Sequence, residues 1–306
     1  MAVSGRQVGD LLRSGTQRLR EAGSETPRLD AELLLGHVLS VDRASLLAHP
    51  EAPLGPAQAA AYELALHRRE QGEPVAYIRG IKEFFGLALA VDRRALIPRP
   101  ETELVVELAL DRLRRVLTEQ PRPELAPPVR VWDVGAGSGA ICVALAVESR
   151  RRGYGRDVRF LATDASPEAL ALAVENAVAH GVADVIEFSQ ADLLEQPDEL
   201  PVDMVLANLP YIPSADVPRL PVAASFEPRQ ALDGGPDGLE HVRRLLEQLP
   251  SALVPGGACL LEIGAGQADA VQDAAGELLE GWPLRIEADL GGLPRVVELE
   301  RPELPA

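Results

Sequence analysis

The first 73 or so residues carry apolar positions at helical spacing, interrupted by turn signals. Leu29, Leu33, Leu34 and Val38 make one apolar face of a helix that Thr26 and Pro27 open as N-cap and N1 residues. Gly55-Pro56 opens a further helix that runs to Gly72, a residue suited to the C′ position. From Val75 to Val91 the pattern turns to that of strands: Val75-Ala76-Tyr77-Ile78, a break at Gly80, then Phe84-Phe85-Gly86-Leu87-Ala88-Leu89. These periods predict a small all-helical domain over 1–74 and a β-hairpin linker over 75–96, ahead of a larger domain over 97–306.

The larger domain opens with Ile97-Pro98-Arg99-Pro100-Glu101-Thr102-Glu103 and a helix through about Leu117. Its prolines fix an extended start, and acids in the first turn favour the helix dipole. Thr118 to Pro128, rich in proline, reads as a surface connector. Beyond it strands and helices alternate. Strands are expected at Val129–Val134, Val158–Thr163, Val185–Phe188, Val202–Asn208 and, after a Pro255-Gly256-Gly257 turn, Ala258–Ile263. Helices are expected at Ala140–Ser149 and Pro167–His180. Leu284–Ala288 and Arg295–Leu299, on either side of Gly291-Gly292, read as a closing antiparallel pair. The fold class is α/β, with a doubly wound, seven-stranded and mostly parallel sheet. Ile212 to Leu239, rich in Pro and Gly and without a clear element, has the length of a functional lid.

At 306 residues the chain is long enough for two domains and a real core. With 46% hydrophobic and 25% charged residues, its composition is that of a soluble globular protein. The apolar stretches are too short to span a bilayer, and Met1 to Arg20 holds no signal-peptide h-region. The two cysteines, Cys142 and Cys259, fall in expected core elements without CxxC spacing, which fits buried reduced thiols and a cytoplasmic location. A net charge of −17 argues against a face that grips phosphates, so stable nucleic-acid binding is not expected. The basic run Arg150–Arg156 lies between a helix and a strand and reads as a solvated loop. His37, His49 and His67 are isolated, with no second ligand at metal spacing, so no metal is expected.

The chemistry sits at strand ends. Asp133-Val134-Gly135-Ala136-Gly137-Ser138-Gly139 closes the first strand of the sheet. Its glycines let the backbone turn sharply and approach a ligand, and the helix that follows presents free N–H groups and a positive dipole end. That geometry suits the carboxylate of S-adenosylmethionine (SAM) as well as a phosphate. Counting Ala140, the run also satisfies G-x-G-x-x-A, so a dinucleotide stays open at this point. Asp164 ends the second strand, where an acid accepts from both ribose hydroxyls of either cofactor. Asp192, after the third strand, is either an acceptor for an adenine amino group or a surface acid.

Asn208-Leu209-Pro210-Tyr211 closes the fourth strand and should face the same crevice, since ligands of open α/β sheets bind outside the carboxyl ends of the strands. Methyl transfer from a sulfonium is an in-line displacement that needs a positioned lone pair. In an amide or aromatic amine that lone pair is delocalised. The Asn208 side-chain oxygen and the Leu209 carbonyl can each accept one substrate N–H, turning the lone pair toward the methyl group as planarity is lost. Pro210 stiffens the loop, and Tyr211 can stack on the planar group. The two motifs together point to SAM-dependent methylation of a planar nitrogen, without a general base.

In this order the motifs resemble those of the PrmC/HemK family, the peptide chain release factor N5-glutamine methyltransferases. The resemblance extends over the whole chain. It includes Gly72–Ile78 with Glu83-Phe84-Phe85-Gly86, Ile97–Glu103, Phe226-Glu227-Pro228 with Ala231–Gly238, and Asp289-Leu290 to Arg295-Val296-Val297. It implies a Rossmann-like methyltransferase domain behind a helical domain that helps to recognise a class I release factor. It also implies methyl transfer from SAM to the side-chain amide of the glutamine in the factor's GGQ motif. Carried onto this sequence, Gly135, Ala136, Gly137, Ser138, Gly139, Asp164, Asp192, Leu193 and Asn208 hold SAM. Asn208, Leu209, Pro210 and Tyr211 hold the glutamine and are the catalytic candidates, joined on the substrate side by Arg99, Phe226 and Glu227. The 212–239 lid would close over the GGQ loop, anchored by Phe226-Glu227-Pro228.

The family usually has N-P-P-Y, where this chain has Leu209. The main-chain carbonyl survives that change, but one rigid ring is lost. Leu193 stands where some members carry an aromatic residue. Three other activities share parts of this pattern: a ribosomal-protein glutamine methyltransferase, an adenine N6-methyltransferase, and a nicotinamide oxidoreductase. A SAM-binding scaffold that lost catalysis through Leu209 is the non-enzymatic alternative.

Overall fold

The computed structural model describes residues 7–119, 126–195 and 201–303. Part of the connector expected at 118–128, and the start of the Met1–Arg20 stretch, therefore lie outside the described residues. Two compact units emerge. One holds the chain up to Ile81 together with Pro221–Phe226, and the other holds Lys82–Leu220 and the chain from Glu227 onward.

The first unit is built from α1 (Val8–Glu21), α2 (Pro27–Leu39), α3 (Arg43–Ala48), α4 (Pro56–Glu70) and α5 (Val75–Arg79). Its core joins Leu11, Leu19, Leu34, Leu35, Tyr62 and Leu66, among others. Thr26 stands at the N-cap of α2, but its hydroxyl donates to the buried Asp30 at 2.9 Å, and Arg69 holds the same carboxylate at 2.7 Å. Val75–Ile78 corrects the strand expectation: these residues form α5. Pro74 sets up the turn, Gly80 closes it in the left-handed region at φ 70°, and Tyr77 and Ile78 are both buried. Tertiary burial overrides the β preference of Val, Tyr and Ile. The hairpin is accordingly shorter, with β1 (Ile81–Phe84) paired to β2 (Leu87–Ala90). Its tight turn, Phe85-Gly86, has positive φ at both residues, and the Glu103 carboxylate accepts the Phe85 N–H at 2.8 Å.

The second unit continues with a 3-10 turn at Pro100–Thr102 and α6 (Glu103–Arg114). There follow β3 (Val129–Val134), α7 (Ala140–Arg151), β4 (Val158–Asp164), α8 (Pro167–Ala179), β5 (Ile186–Gln190) and β6 (Val202–Asn208). The chain ends with α9 (Glu240–Ala252), β7 (Leu253–Glu262), α10 (Ala268–Leu278), β8 (Leu284–Ala288) and β9 (Pro294–Glu300). The sheet order is β5-β4-β3-β6-β7-β9-β8, parallel except for β9 and β8. Residues of α6, α7 and α8 fill one apolar layer and residues of α9 and α10 the other, as a doubly wound sheet requires. Buried Trp132 donates its indole N–H to Thr163 at 2.8 Å and ties β3 to β4.

Pro255-Gly256-Gly257 is not a turn ahead of a strand. It lies inside β7 as an irregularity, because Val202 pairs with Leu253 and Met204 already with Ala258. The 212–239 segment, expected without elements, holds 3-10 turns at Val217–Arg219, Val222–Phe226 and Arg229–Ala231. Cys142 and Cys259 are buried free thiols. In the basic run, Arg150 is bound to Asp184 and Arg151 to Glu148. No helix among the described residues is long and apolar enough to cross a membrane.

Candidate active site

The strand order reverses between β3 and β6, and there, beyond the carboxyl ends of the strands, lies a cavity of about 230 Å³. Its walls bring together Gly135–Ser138, Asp164, Asp192, Leu193, Asn208, Leu209, Pro210 and Arg99.

The glycine loop is shaped by its backbone. Gly135, Gly137 and Gly139 all have positive φ. A Cβ on Gly137 would meet nothing nearer than 4.0 Å, so the main chain there is bare toward open space. Gly139 differs: it caps α7 and abuts α8, where a Cβ would lie 3.0 Å from that of Ala173. Asn176 on α8 braces the loop by donating to the Ser138 carbonyl at 2.9 Å. Beneath it Asp133 accepts the Cys142 N–H at 3.0 Å, and burial lifts its carboxyl to about 7.

Asp164 accepts the Gly137 N–H through one oxygen and the Ser166 N–H through the other, both at 2.8 Å. Burial raises its pKa, and those two backbone bonds act against the rise. At the end of β5 the backbone is strained: Leu193, buried, sits at φ 55°, a region costly for a side chain with a Cβ. Asp192 beside it is held by Arg244 at 2.7 Å.

On the opposite wall Asn208 donates its side-chain N–H to the Thr102 hydroxyl at 3.0 Å. That leaves Oδ1 as the acceptor of the amide. Leu209 is buried, and its Cδ2 lies 3.2 Å from where a Cβ on Gly135 would stand, so the two motifs touch. Glu227 is buried, accepting from the Ile97 N–H at 3.0 Å and from Arg99. It thus holds the 97–99 segment, and its neighbours Pro228, Gln230 and Ala231 line the cavity.

Four candidates do not line the cavity, and Glu227, which supports it through Ile97 and Arg99, is one of them. Gly139 works from behind the loop. Tyr211 does not line the cavity; its carbonyl accepts from Gln267 at 3.0 Å, and its phenol is raised by burial beside Glu262. Phe226 groups with the helical unit. Sequence reasoning missed Thr102, His241 and Glu262. Thr102 lay within a motif already singled out; the others carried no local signal.

Residues 10–80 match the family described as PrmC N-terminal domain, and residues 126–274 match one described as Methyltransferase domain. A release factor glutamine methyltransferase of Moorella thermoacetica is 43% identical over 86% of this chain and 88% of its own length. A protein of the same name from Deinococcus radiodurans is 38% identical over 96% of this chain and 99% of its own. Among solved structures, the catalytic domain of human Mettl16 in complex with an RNA hairpin aligns with a TM-score of 0.51 at 15% identity. It covers 80% of this chain and 81% of that one, a likeness of fold. A methyltransferase sheet behind a helical unit, with relatives matched over nearly their whole length, defines the lineage: this chain belongs to the release factor glutamine methyltransferase family.

Proposed function

We propose that the protein transfers a methyl group from SAM to the side-chain amide nitrogen (N5) of the glutamine in the GGQ motif of class I release factors. The observation that carries this reading is the Asn208 amide. Its nitrogen is tied to Thr102, and it lines the same cavity as the bare glycine loop.

The donor set fits SAM. The loop's Ala136, Gly137 and Gly139 N–H groups are spent on Thr163, Asp164 and Ala136. The start of α7 with its positive dipole end is therefore what would face a carboxylate, and Asp164 is an acceptor at the ribose position. Asp192 and Leu193 would border the adenine. When bound, SAM supplies an electrophilic methyl group. Asn208 Oδ1 and the Leu209 carbonyl accept the two N–H groups of the glutamine and orient its nitrogen for in-line attack. These contacts strengthen as the nitrogen loses planarity, and so favour the transition state. Arg99, fixed by Glu227, borders the acceptor side.

The reading is tested by incubating the protein with SAM and an unmethylated class I release factor, then weighing the GGQ peptide. One added methyl group is expected, and Asn208→Ala should lower kcat on the order of 10² or more while SAM affinity changes little. A ribosomal protein and a ribosomal RNA fragment serve as parallel acceptors. Methyl groups found only there would move the substrate assignment.

A further inference from the structure

Behind Asn208 stands a polar group the reaction has not yet used. Glu262 ends β7 directly opposite Asn208 of β6 in the parallel register. It is 2% exposed, and its Oε2 has no hydrogen-bond partner. Thr102, 4% exposed, lies beside both and accepts from the Asn208 amide at 3.0 Å. Thr102 and Asn208 both act to favour the charged form of the Glu262 carboxyl.

An asparagine alone next to a hydroxyl has no fixed orientation, because a hydroxyl donates and accepts equally well. A carboxylate only accepts. With Glu262 ionised, the Thr102 hydrogen is drawn to the carboxylate, and Thr102 can then only accept from Asn208. The Asn208 NH2 is thereby held toward Thr102 and Glu262, and Oδ1 toward the cavity. With Glu262 protonated the constraint lapses. Its own O–H can donate, and the amide can turn its NH2 toward the substrate nitrogen, where it would oppose two N–H groups.

We propose that Glu262, acting with Thr102, is the positioning residue that fixes the Asn208 amide with its oxygen toward the substrate nitrogen. The inference rests on Asn208 being the acceptor of the substrate N–H. Burial lifts the Glu262 carboxyl to about 7, so the constraint switches near neutrality. The groups facing it are Thr102 and Asn208, which favour the charged form, Glu101, which opposes it, and Arg295 of β9, which favours it. Tyr211 lies on the same side, and Arg295 is itself held by Asp289 at 2.9 Å. Glu262 loses its proton as pH rises through about 7, so kcat should rise through the same interval.

The test is kcat against pH, from about 5.5 to 9, at saturating SAM with an unmethylated class I release factor. The wild-type protein should show an acid limb near neutrality. In Glu262→Gln that limb should vanish and kcat at high pH should fall about tenfold, the scale for a group that orients a functional one. Thr102→Val should fall similarly, Thr102→Ser should restore turnover, and the Kd for SAM, read by calorimetry, should stay within about twofold in all three. An unaltered SAM Kd also shows that each variant is folded. Wild-type kcat and an intact acid limb in both Glu262→Gln and Thr102→Val, with Asn208→Ala inactive, would overturn the inference and leave the proposed function standing. An active Asn208→Ala would instead remove the acceptor assignment on which both rest.

Discussion

The two walls of the cavity are made differently. The wall proposed for the cofactor is mostly main chain: a loop of positive-φ glycines, braced by Asn176 and by Asp164, whose carboxylate also stands as an acceptor for the ligand. The acceptor wall is side chain: one amide whose orientation depends on a hydroxyl and a carboxylate from separate segments. A backbone wall fails by strain and loses binding. A side-chain wall fails by misorientation and loses turnover.

That contrast can be broken by variants on either side, and the largest effect belongs to Asn208→Ala, whose kcat defect should leave the SAM Kd nearly unchanged. Asp164→Asn should do the reverse. Losing a charged acceptor should weaken SAM binding about tenfold or more, with a smaller change in kcat at saturation. Calorimetry for Kd and single-turnover rates separate the two, and a kcat defect larger than the binding defect would erase the distinction. Gly139→Ala should show up as stability. A left-handed φ of 77° and a 3.0 Å approach to Ala173 should together cost about 1–3 kcal/mol in urea unfolding. Leu209→Pro should matter least, with kcat within about threefold, because the residue sits before Pro210 in an extended turn and its carbonyl is main chain. A tenfold loss there would show that the leucine side chain, not only its carbonyl, supports the site.

The same division decides what was legible in the chain. The cofactor wall could be read directly, because Gly135, Gly137 and Gly139 are neighbours in sequence and their spacing is itself the geometry. Asn208 was legible as the end of an apolar run. Its supports were not: Thr102 is 106 residues away, and Glu262 reaches Asn208 only through the pairing of β6 with β7. Val75–Ile78 was misread for a related reason, since a strand-like quartet becomes a helical turn once Pro74 and Gly80 bracket it and two of its side chains find a core. The irregularity in β7 was misread as a turn because the pairing of Val202 and Met204 with its two halves is invisible along the chain.

The contact between Leu209 and Gly135 also bears on how such a sequence can change over generations. Position 135 resists larger residues twice, once by its φ of 71° and again by a leucine methyl 3.2 Å from where a Cβ would sit, which would have to give way slightly. A lineage that takes leucine at 209 therefore narrows its own later choices on the opposite strand. A descendant that enlarges residue 135 must bear the φ strain and also displace the residue-209 side chain by a few tenths of an ångström. A smaller residue at 209 would ease the change, so the two motifs are coupled in the order of their substitutions.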